Sequence, residues 1–169
     1  YYPERVDDVA WENDLTAFRA YGPALQETGE RAFGYDIWTK YNTTEPVVEA
    51  RYEGELNPDM KAKIAELGKT DPKAAQELYR SVSYHVDHGN GLDCYKVGPT
   101  LGGGTTALMA GDTIIYPYCY ATQEILDNGP LRFTVKLVYN PLVVKGDSTI
   151  IETRIITLDA GSYCNKTVV

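Results

Sequence analysis

The feature that most limits the fold of this chain is the alternation of apolar and polar residues in its last third. Between Leu131 and Tyr139 the sequence LRFTVKLVY places apolar side chains on one face of a strand and polar ones on the other. Residues 113–128 and 148–158 also have sequence patterns typical of strands. The turns that separate these segments are Gly111-Asp112, Asn128-Gly129-Pro130 and Gly146-Asp147. Three consecutive antiparallel strands with polar outer faces predict a mainly β protein with a β-sandwich, not βαβ units.

A helical pattern interrupts this β character in the middle of the chain. Met60, Ile64 and Leu67 recur at helical spacing after Pro58, and Gly68 is predicted to end this helix. A second run with the same periodicity follows Asp71-Pro72 and continues to residue 82. The sequence therefore predicts an αα-hairpin inserted around residues 58–82, placed to cover a site or the end of a sheet.

The segment from Val9 to Leu25 is interpreted as a strand that ends at Gly22-Pro23. Ala17, Arg19 and Tyr21 would share one face of it. The polar triplet Glu12-Asn13-Asp14 stands at its start, either as the wall of a site beside Arg19 or as a turn with an internal salt bridge. Farther along, Trp38 is assigned to the core.

The composition limits the classes of partner. The chain has 169 residues, enough for one domain, and a formal net charge of −8, without the clustered basic residues that nucleic-acid binding requires. No nucleic-acid partner is therefore expected. No membrane span is expected either. Cys94, Cys119 and Cys164 show no zinc-ligand spacing. No cofactor is predicted.

The stretch 83–108 concentrates the titratable side chains and glycines from which a site is most often built. It contains His85, Asp87, His88 and Asp93. On a strand His85 and Asp87 would share a face, whereas on a helical turn His85 and His88 would do so. A general acid or base oriented by a carboxylate, a metal site and a purely structural cluster all remain open.

Several stretches, taken in order, resemble a known family: RVDDVAWENDLTAFRAYGPAL, GYDIWTK, YHVDHGNGLDCYKVGPTLGGGTTAL, ILDNGPLRFTVKLVY and ETRIITLDAGSYCNKT. The family is an uncharacterised domain of unknown function in secreted or periplasmic bacterial proteins, encoded beside enzymes that degrade pectin and other polysaccharides. The resemblance implies a mutarotase-like β-supersandwich, a secreted or periplasmic location, and a chain that forms the central portion of a longer protein. It also implies a function in the breakdown of pectin-like or acidic glycans.

The residues themselves supply the candidate site on such a fold: His85, Asp87, His88, Arg19, Tyr21 and Glu12. A lyase would use His85 or Tyr84 as base and Arg19 as stabiliser. A hydrolase would pair Glu12 or Asp14 with Asp87 or Asp93. A non-catalytic carbohydrate-binding protein is the alternative, followed by a structural fragment. The expected partner in the first two cases is an oligosaccharide or polysaccharide.

Overall fold

The computed structural model describes residues 5, 7–41, 44–94 and 96–169. Four helices are present in these ranges: α1 (Pro23–Glu27), α2 (Val47–Glu55), α3 (Pro58–Thr70) and α4 (Pro72–Val82). The strands of the first half are β1 (Val9–Glu12), β2 (Thr16–Ala20), β3 (Asp36–Lys40) and β4 (Gly91–Asp93). Those of the second half are β5 (Leu108–Ala110), β6 (Thr113–Ile115), β7 (Tyr120–Asn128), β8 (Arg132–Tyr139), β9 (Leu142–Val144), β10 (Asp147–Ile150), β11 (Thr153–Asp159) and β12 (Lys166–Val168).

Two four-stranded antiparallel sheets form the body of a β-sandwich, as the sequence predicts. The first sheet has the strand order β1-β2-β3-β4, and the second has the order β12-β11-β8-β7. The predicted neighbours β7, β8 and β11 are adjacent in the second sheet. The predicted strand 148–158 is divided, because β10 turns back onto β9 before β11 joins β8.

The core lies between the two sheets, and each sheet contributes both aromatic and aliphatic side chains to it. Trp11 and Phe18 of the first sheet are buried against Leu137 and Ile156 of the second. The Trp11 ring stacks on Phe18 at 5.8 Å and on Phe133 at 6.1 Å between ring centroids. Aromatic pairs at these distances add to the energy of burial, so Trp11 joins the two sheets.

The segment after Val9 differs from the single predicted strand. It forms the β1–β2 hairpin, closed by a hydrogen bond from the Asn13 backbone N–H to the Thr16 carbonyl at 3.0 Å. The Asn13 side chain also accepts hydrogen bonds from the backbone N–H groups of Leu15 and Thr16. An asparagine that binds the following backbone favours a turn, which is why the chain reverses here.

The predicted αα-hairpin is confirmed as α3 and α4. Asn57 and Asp71 cap the two helices by accepting hydrogen bonds from backbone N–H groups of the first turn. Gly68 does not end the first helix as predicted, because α3 continues to Thr70. The stop comes instead at Asp71, whose helical conformation is disfavoured by the following proline and whose φ is −141°. Tyr79 of α4 donates to Glu55 of α2 at 3.3 Å, so the hairpin is held against α2.

Two glycines in the glycine-rich stretch after α4 adopt backbone conformations that a side chain would disturb. Gly91 has a φ of 122°, and a Cβ there would lie 1.9 Å from the Thr39 carbonyl oxygen of β3. Gly102 has a φ of 58° and pairs with Tyr35 in a parallel bridge. Both positions therefore need a residue without a side chain, which explains part of the predicted glycine requirement.

Leu137 of β8 and Leu131, in the turn before β8, together test the location of the core. Leu137 is 0% exposed and Leu131 is 77% exposed. We expect Leu137→Ala to lower the free energy of unfolding by about 2–5 kcal/mol, since it leaves a cavity. Leu131→Ala should change it by less than about 0.5 kcal/mol. Urea unfolding followed by tryptophan fluorescence measures both, and equal losses would contradict this assignment of the core.

Candidate functional site

The face of the first sheet that points away from the inter-sheet core carries charged side chains. The register sets Arg19 opposite Asp36 and Trp38 opposite Asp93. Directly opposite residues in antiparallel strands project to the same side, so these side chains share one face. Arg19, Asp36 and Asp93 are all buried, beneath Tyr52 of α2 and Tyr84. An ordinary sandwich exposes its polar face to water, whereas here the polar face is covered.

Arg19 is the centre of this buried group and is 3% exposed. Its Nη2 lies 2.5 Å from Asp36 Oδ2 and donates to the Tyr21 hydroxyl at 2.8 Å. Its Nη1 donates to the Tyr52 hydroxyl at 2.7 Å. A buried charge is tolerated when it is both paired and hydrogen-bonded, and Arg19 meets both conditions. Two residues predicted for the site, Arg19 and Tyr21, are therefore in direct contact.

Asp8 extends this group toward the surface. Its Oδ2 lies 3.2 Å from Arg5 Nη2 and 3.9 Å from Arg19 Nε. Burial of the carboxyl group raises the pKa of Asp8 to about 6, even though the two guanidinium groups act in the opposite direction. A carboxyl that exchanges its proton near neutral pH is a candidate general acid or base.

Glu12, a predicted site residue, has a structural task. Its Oε2 accepts from Lys40 Nζ at 2.8 Å and from the Val47 backbone N–H at 2.9 Å. Its Oε1 accepts from the Val48 backbone N–H at 3.3 Å. The carboxylate thus satisfies the first N–H groups of α2 and interacts favourably with the helix dipole. Its ion pair is with Lys40 of β3 and not within its own turn, and it also fixes α2 over the sheet.

His85 lies at the edge of the Arg19 group. Its Nδ1 is 3.2 Å from the backbone carbonyl oxygen of Asp93, which requires the proton on Nδ1, and 3.7 Å from the Asp93 carboxylate. The ring contacts that of Tyr84 at 4.5 Å, and Tyr84 stacks on Trp38 at 5.4 Å. The His85 side chain is 50% exposed. Asp93 also approaches Arg19 Nη2 at 3.7 Å and so connects His85 to that group.

The other two members of the predicted cluster bind backbone groups near them, and Asp87 also binds the Tyr41 side chain. His88 Nε2 donates to the Ser83 carbonyl at 2.9 Å, next to the end of α4. Asp87 accepts from the Gly89 N–H at 2.8 Å and from the Tyr41 hydroxyl at 2.8 Å. These bonds lower the pKa of the exposed Asp87 carboxyl. No hydrogen bond joins His85, Asp87 and His88 to one another in the described part of the chain.

An open cleft of about 980 Å³ lies beside the Arg19 group. The residues that line it come from β1 and its turn, from α2, and from the β7–β8 hairpin. Asp8 and Tyr52 connect it with the Arg19 group, and Phe133 together with the exposed Ile125 and Leu131 adds apolar surface. The charged lining residues are Arg5, Asp8, Glu12, Asp14, Lys40, Glu49 and Arg132. Glu12 lines the cleft, as does Asp14, which the sequence offered as the alternative carboxylate of a hydrolase, whereas Arg19, Tyr21 and the 85–88 cluster do not line it.

Three residues of this arrangement escaped the sequence analysis: Asp8, Asp36 and Tyr52. Asp36 stands two residues before Trp38 in a strand, and alternation would have placed both on one face. Asp8 and Tyr52 lie far from Arg19 in sequence, outside β2, and no local pattern connects them with it.

Within the described ranges no group of three His, Cys, Asp or Glu side chains is arranged to hold a metal ion. The described helices include none that is both long and apolar enough to cross a membrane.

The fold and the site together define a β-sandwich protein with a charged cleft over a buried arginine. The chain belongs to the family described as a domain of unknown function, DUF4861, whose model matches residues 1–169. The chain is 30% identical over 173 residues to "Uncharacterized protein P7" of Formosa agariphila. That alignment covers 98% of this chain and 38% of the relative. No solved structure matches the chain.

The pKa of Asp8 gives a test of its environment. Because folding raises this pKa from 3.8 to about 6, the folded chain binds more protons than the unfolded chain between these values. Stability should therefore fall as the pH rises through this interval. Between pH 4 and 6, the free energy of unfolding of the wild type should decrease by on the order of 2 kcal/mol more than that of Asp8→Asn. Chemical unfolding at several pH values measures this difference.

Asp112→Asn is the matched control, because Asp112 is exposed. Between pH 4 and 6, the interval in which the Asp8 carboxyl changes its protonation, the free energy of unfolding of Asp112→Asn should change with pH by the same amount as that of the wild type. If Asp8→Asn also ran parallel to the wild type, the carboxyl of Asp8 would titrate normally and lose its place as a candidate acid or base.

Proposed function

We propose that this chain is part of a carbohydrate-active protein that takes part in polysaccharide breakdown, and that its cleft binds the sugar chain. The observation that carries the proposal is the cleft of about 980 Å³, which is lined both by apolar side chains, including the partly buried Phe133 and the exposed Leu131, and by charged hydrogen-bonding groups. Sugar rings have apolar faces that stack on aromatic groups and hydroxyl groups that bind polar ones. The family resemblance of the sequence supports the same class of ligand.

Asp8 is the group we propose for proton transfer in this cleft. Its carboxyl, with a pKa of about 6, is present in both protonation states near neutral pH. Glycoside hydrolysis needs one protonated carboxyl to donate to the leaving oxygen and a second carboxylate. Asp14 and Glu49 also line the cleft and are the candidates for that second role. Elimination would instead use Asp8 as the base, with Arg5 at 3.2 Å from it to stabilise the developing negative charge.

Non-catalytic carbohydrate binding is the second candidate, and a specific observation favours it. The Asp8 side chain is only 4% exposed, so a sugar would reach little of it without a local movement. Glu12 uses both carboxylate oxygens to hold Lys40 and α2. A cleft that binds sugar without a reactive carboxyl in reach would serve recognition alone. A catalytic role for His85, Asp87 and His88 stays a prediction of the sequence, since none of them lines the cleft.

Product analysis separates these functions. We propose incubating the wild type, Asp8→Asn, His85→Ala and the control Asp112→Asn with neutral and uronate-containing oligosaccharides, followed by mass spectrometry. Products containing added water identify a hydrolase, and unsaturated products identify a lyase. We expect Asp8→Asn to lose at least about 100-fold in rate, within the range that one acid or base contributes. Asp112→Asn should match the wild type.

The other outcomes are equally informative. A full loss in His85→Ala with Asp8→Asn unaffected would move the reaction to the edge of the Arg19 group. Binding without products in any protein would favour the recognition function. Neither binding nor products from the folded wild type would overturn the proposal. Circular dichroism on each variant establishes that it is folded.

A further inference from the structure

Two surface segments outside the cleft place aromatic rings side by side. Tyr116 and Tyr118 are 43% and 38% exposed. The ring of Phe33 lies 5.2 Å from that of Tyr116 between centroids, and the guanidinium carbon of Arg31 lies 5.8 Å from the centroid of the Tyr118 ring. We call these four residues the aromatic strip. None of them lines the cleft, so the aromatic strip is a separate feature of the surface.

Burial alternates along both segments and leaves the four side chains on the outer side. Ala32, between Arg31 and Phe33, is buried, and so is Pro117, between the two tyrosines. Successive side chains of an extended segment point to opposite sides, so a buried residue leaves its two neighbours facing outward. Pro117 favours this conformation, because a proline fixes its own φ and disfavours a helical conformation of the residue before it.

A buried amide holds the two segments together. Gln26 is fully buried, and its Nε2 donates to the Ala32 carbonyl at 3.2 Å and to the Tyr118 carbonyl at 2.9 Å. The Phe33 backbone N–H donates to the Thr100 carbonyl at 3.1 Å, which ties its segment to the glycine-rich stretch. These bonds involve backbone carbonyls, so they do not depend on the tyrosine rings. A surface whose rings are already held in place loses less conformational entropy when it binds a ligand.

The side chains of the aromatic strip match the chemistry of a sugar chain. A tyrosine ring offers an apolar face to the C–H groups of a sugar and a hydroxyl group to its oxygen atoms. Arg31 adds N–H donors for sugar hydroxyl groups. Tyr116 and Tyr118 are two positions apart, which is roughly 6–7 Å along an extended segment. One elongated ligand can therefore contact both rings.

The aromatic strip is small compared with a protein interface. It consists of four side chains, whereas each partner in a standard protein–protein interface contributes roughly 20 residues. A glycan chain is narrow and is held by a few aromatic and polar contacts. The size of the aromatic strip therefore suits a glycan better than a folded protein.

We propose that the aromatic strip is a second carbohydrate-binding site, at which an extended glycan stacks on Tyr116 and Tyr118 independently of the cleft. This inference rests on the proposed function for the class of ligand, and it adds a site which that function does not use. The aromatic strip contains no carboxylate, so it binds the glycan without reacting with it.

Ring variants test the site by isothermal titration calorimetry with neutral and uronate-containing polysaccharides. The double variant Tyr116→Ala/Tyr118→Ala should bind the recognised polysaccharide at least about tenfold more weakly than the wild type, because two stacking contacts are lost. Tyr116→Phe/Tyr118→Phe keeps both rings and should retain most of the affinity. Tyr163→Ala is the matched control, because it removes an exposed tyrosine outside the aromatic strip, and it should bind as the wild type does.

A variant of the cleft separates the two sites. Ile125 lines the cleft and is exposed, so Ile125→Arg should obstruct the cleft without unfolding the chain. We expect Ile125→Arg to keep the polysaccharide binding that belongs to the aromatic strip. Adding the replacements Tyr116→Ala and Tyr118→Ala to Ile125→Arg should then remove that binding.

Circular dichroism establishes that each variant is folded, and the single variants Tyr116→Ala and Tyr118→Ala give the same comparison if the double variant does not fold. If the folded alanine variants bound as tightly as the wild type while Ile125→Arg lost binding, the inference would be refuted and the proposed function would stand. An equal loss in the phenylalanine variant would refute ring stacking.

Two further results would overturn the inference. If the wild type bound no glycan, the proposed function and the second site would fail together. If a proline-rich peptide bound to the aromatic strip and no glycan did, the strip would serve peptide recognition, since aromatic surfaces also bind such segments.

Discussion

The ion pair between Arg19 and Asp36 is the interaction on which the rest of this structure depends. It lies on the outer face of the first sheet, where the two residues stand directly opposite each other on β2 and β3. A guanidinium buried to this extent demands partners for its N–H groups. Tyr21 and Tyr52 supply two of them, and Tyr52 belongs to α2. The buried charge of Arg19 therefore requires α2 and its Tyr52 to lie over the first sheet.

The same sheet consequently separates two different interiors. Toward the second sheet, Trp11 and Phe18 pack in an apolar core. Toward α2, a layer of charged and aromatic groups takes the place of solvent, with Glu12 holding the helix N-terminus over it. Ordinary packing stabilises the first interior, whereas the second depends on exact pairing of its charges. Replacing one partner on the charged side would leave another charge buried and unpaired, which is costly.

Local periodicity was enough to predict the antiparallel sheet and the helix pair 58–82, because both are set by neighbours in sequence. It also placed Ala17 and Arg19 on one strand face, as the register bears out. The site depends on contacts that no local pattern encodes. Asp8 reaches Arg19 from before β1, and Tyr52 reaches it from a helix 33 positions away. The sequence suggested Asp87 and His88 as reactive groups. In the structure both bind backbone groups of nearby residues, and residue type alone could not predict these partners.

Burial and function are connected through Asp8. Asp8 lines the cleft and its Oδ2 lies 3.9 Å from Arg19 Nε, and burial of its carboxyl raises its pKa to about 6. A carboxyl in water beside two guanidinium groups would titrate low. Here burial outweighs the attraction of Arg5 and Arg19. Glu12 fixes the N-terminus of α2, and Val48 and Tyr52 of that helix line the same cleft as Asp8. The shape of the cleft therefore depends on how α2 is anchored to β1.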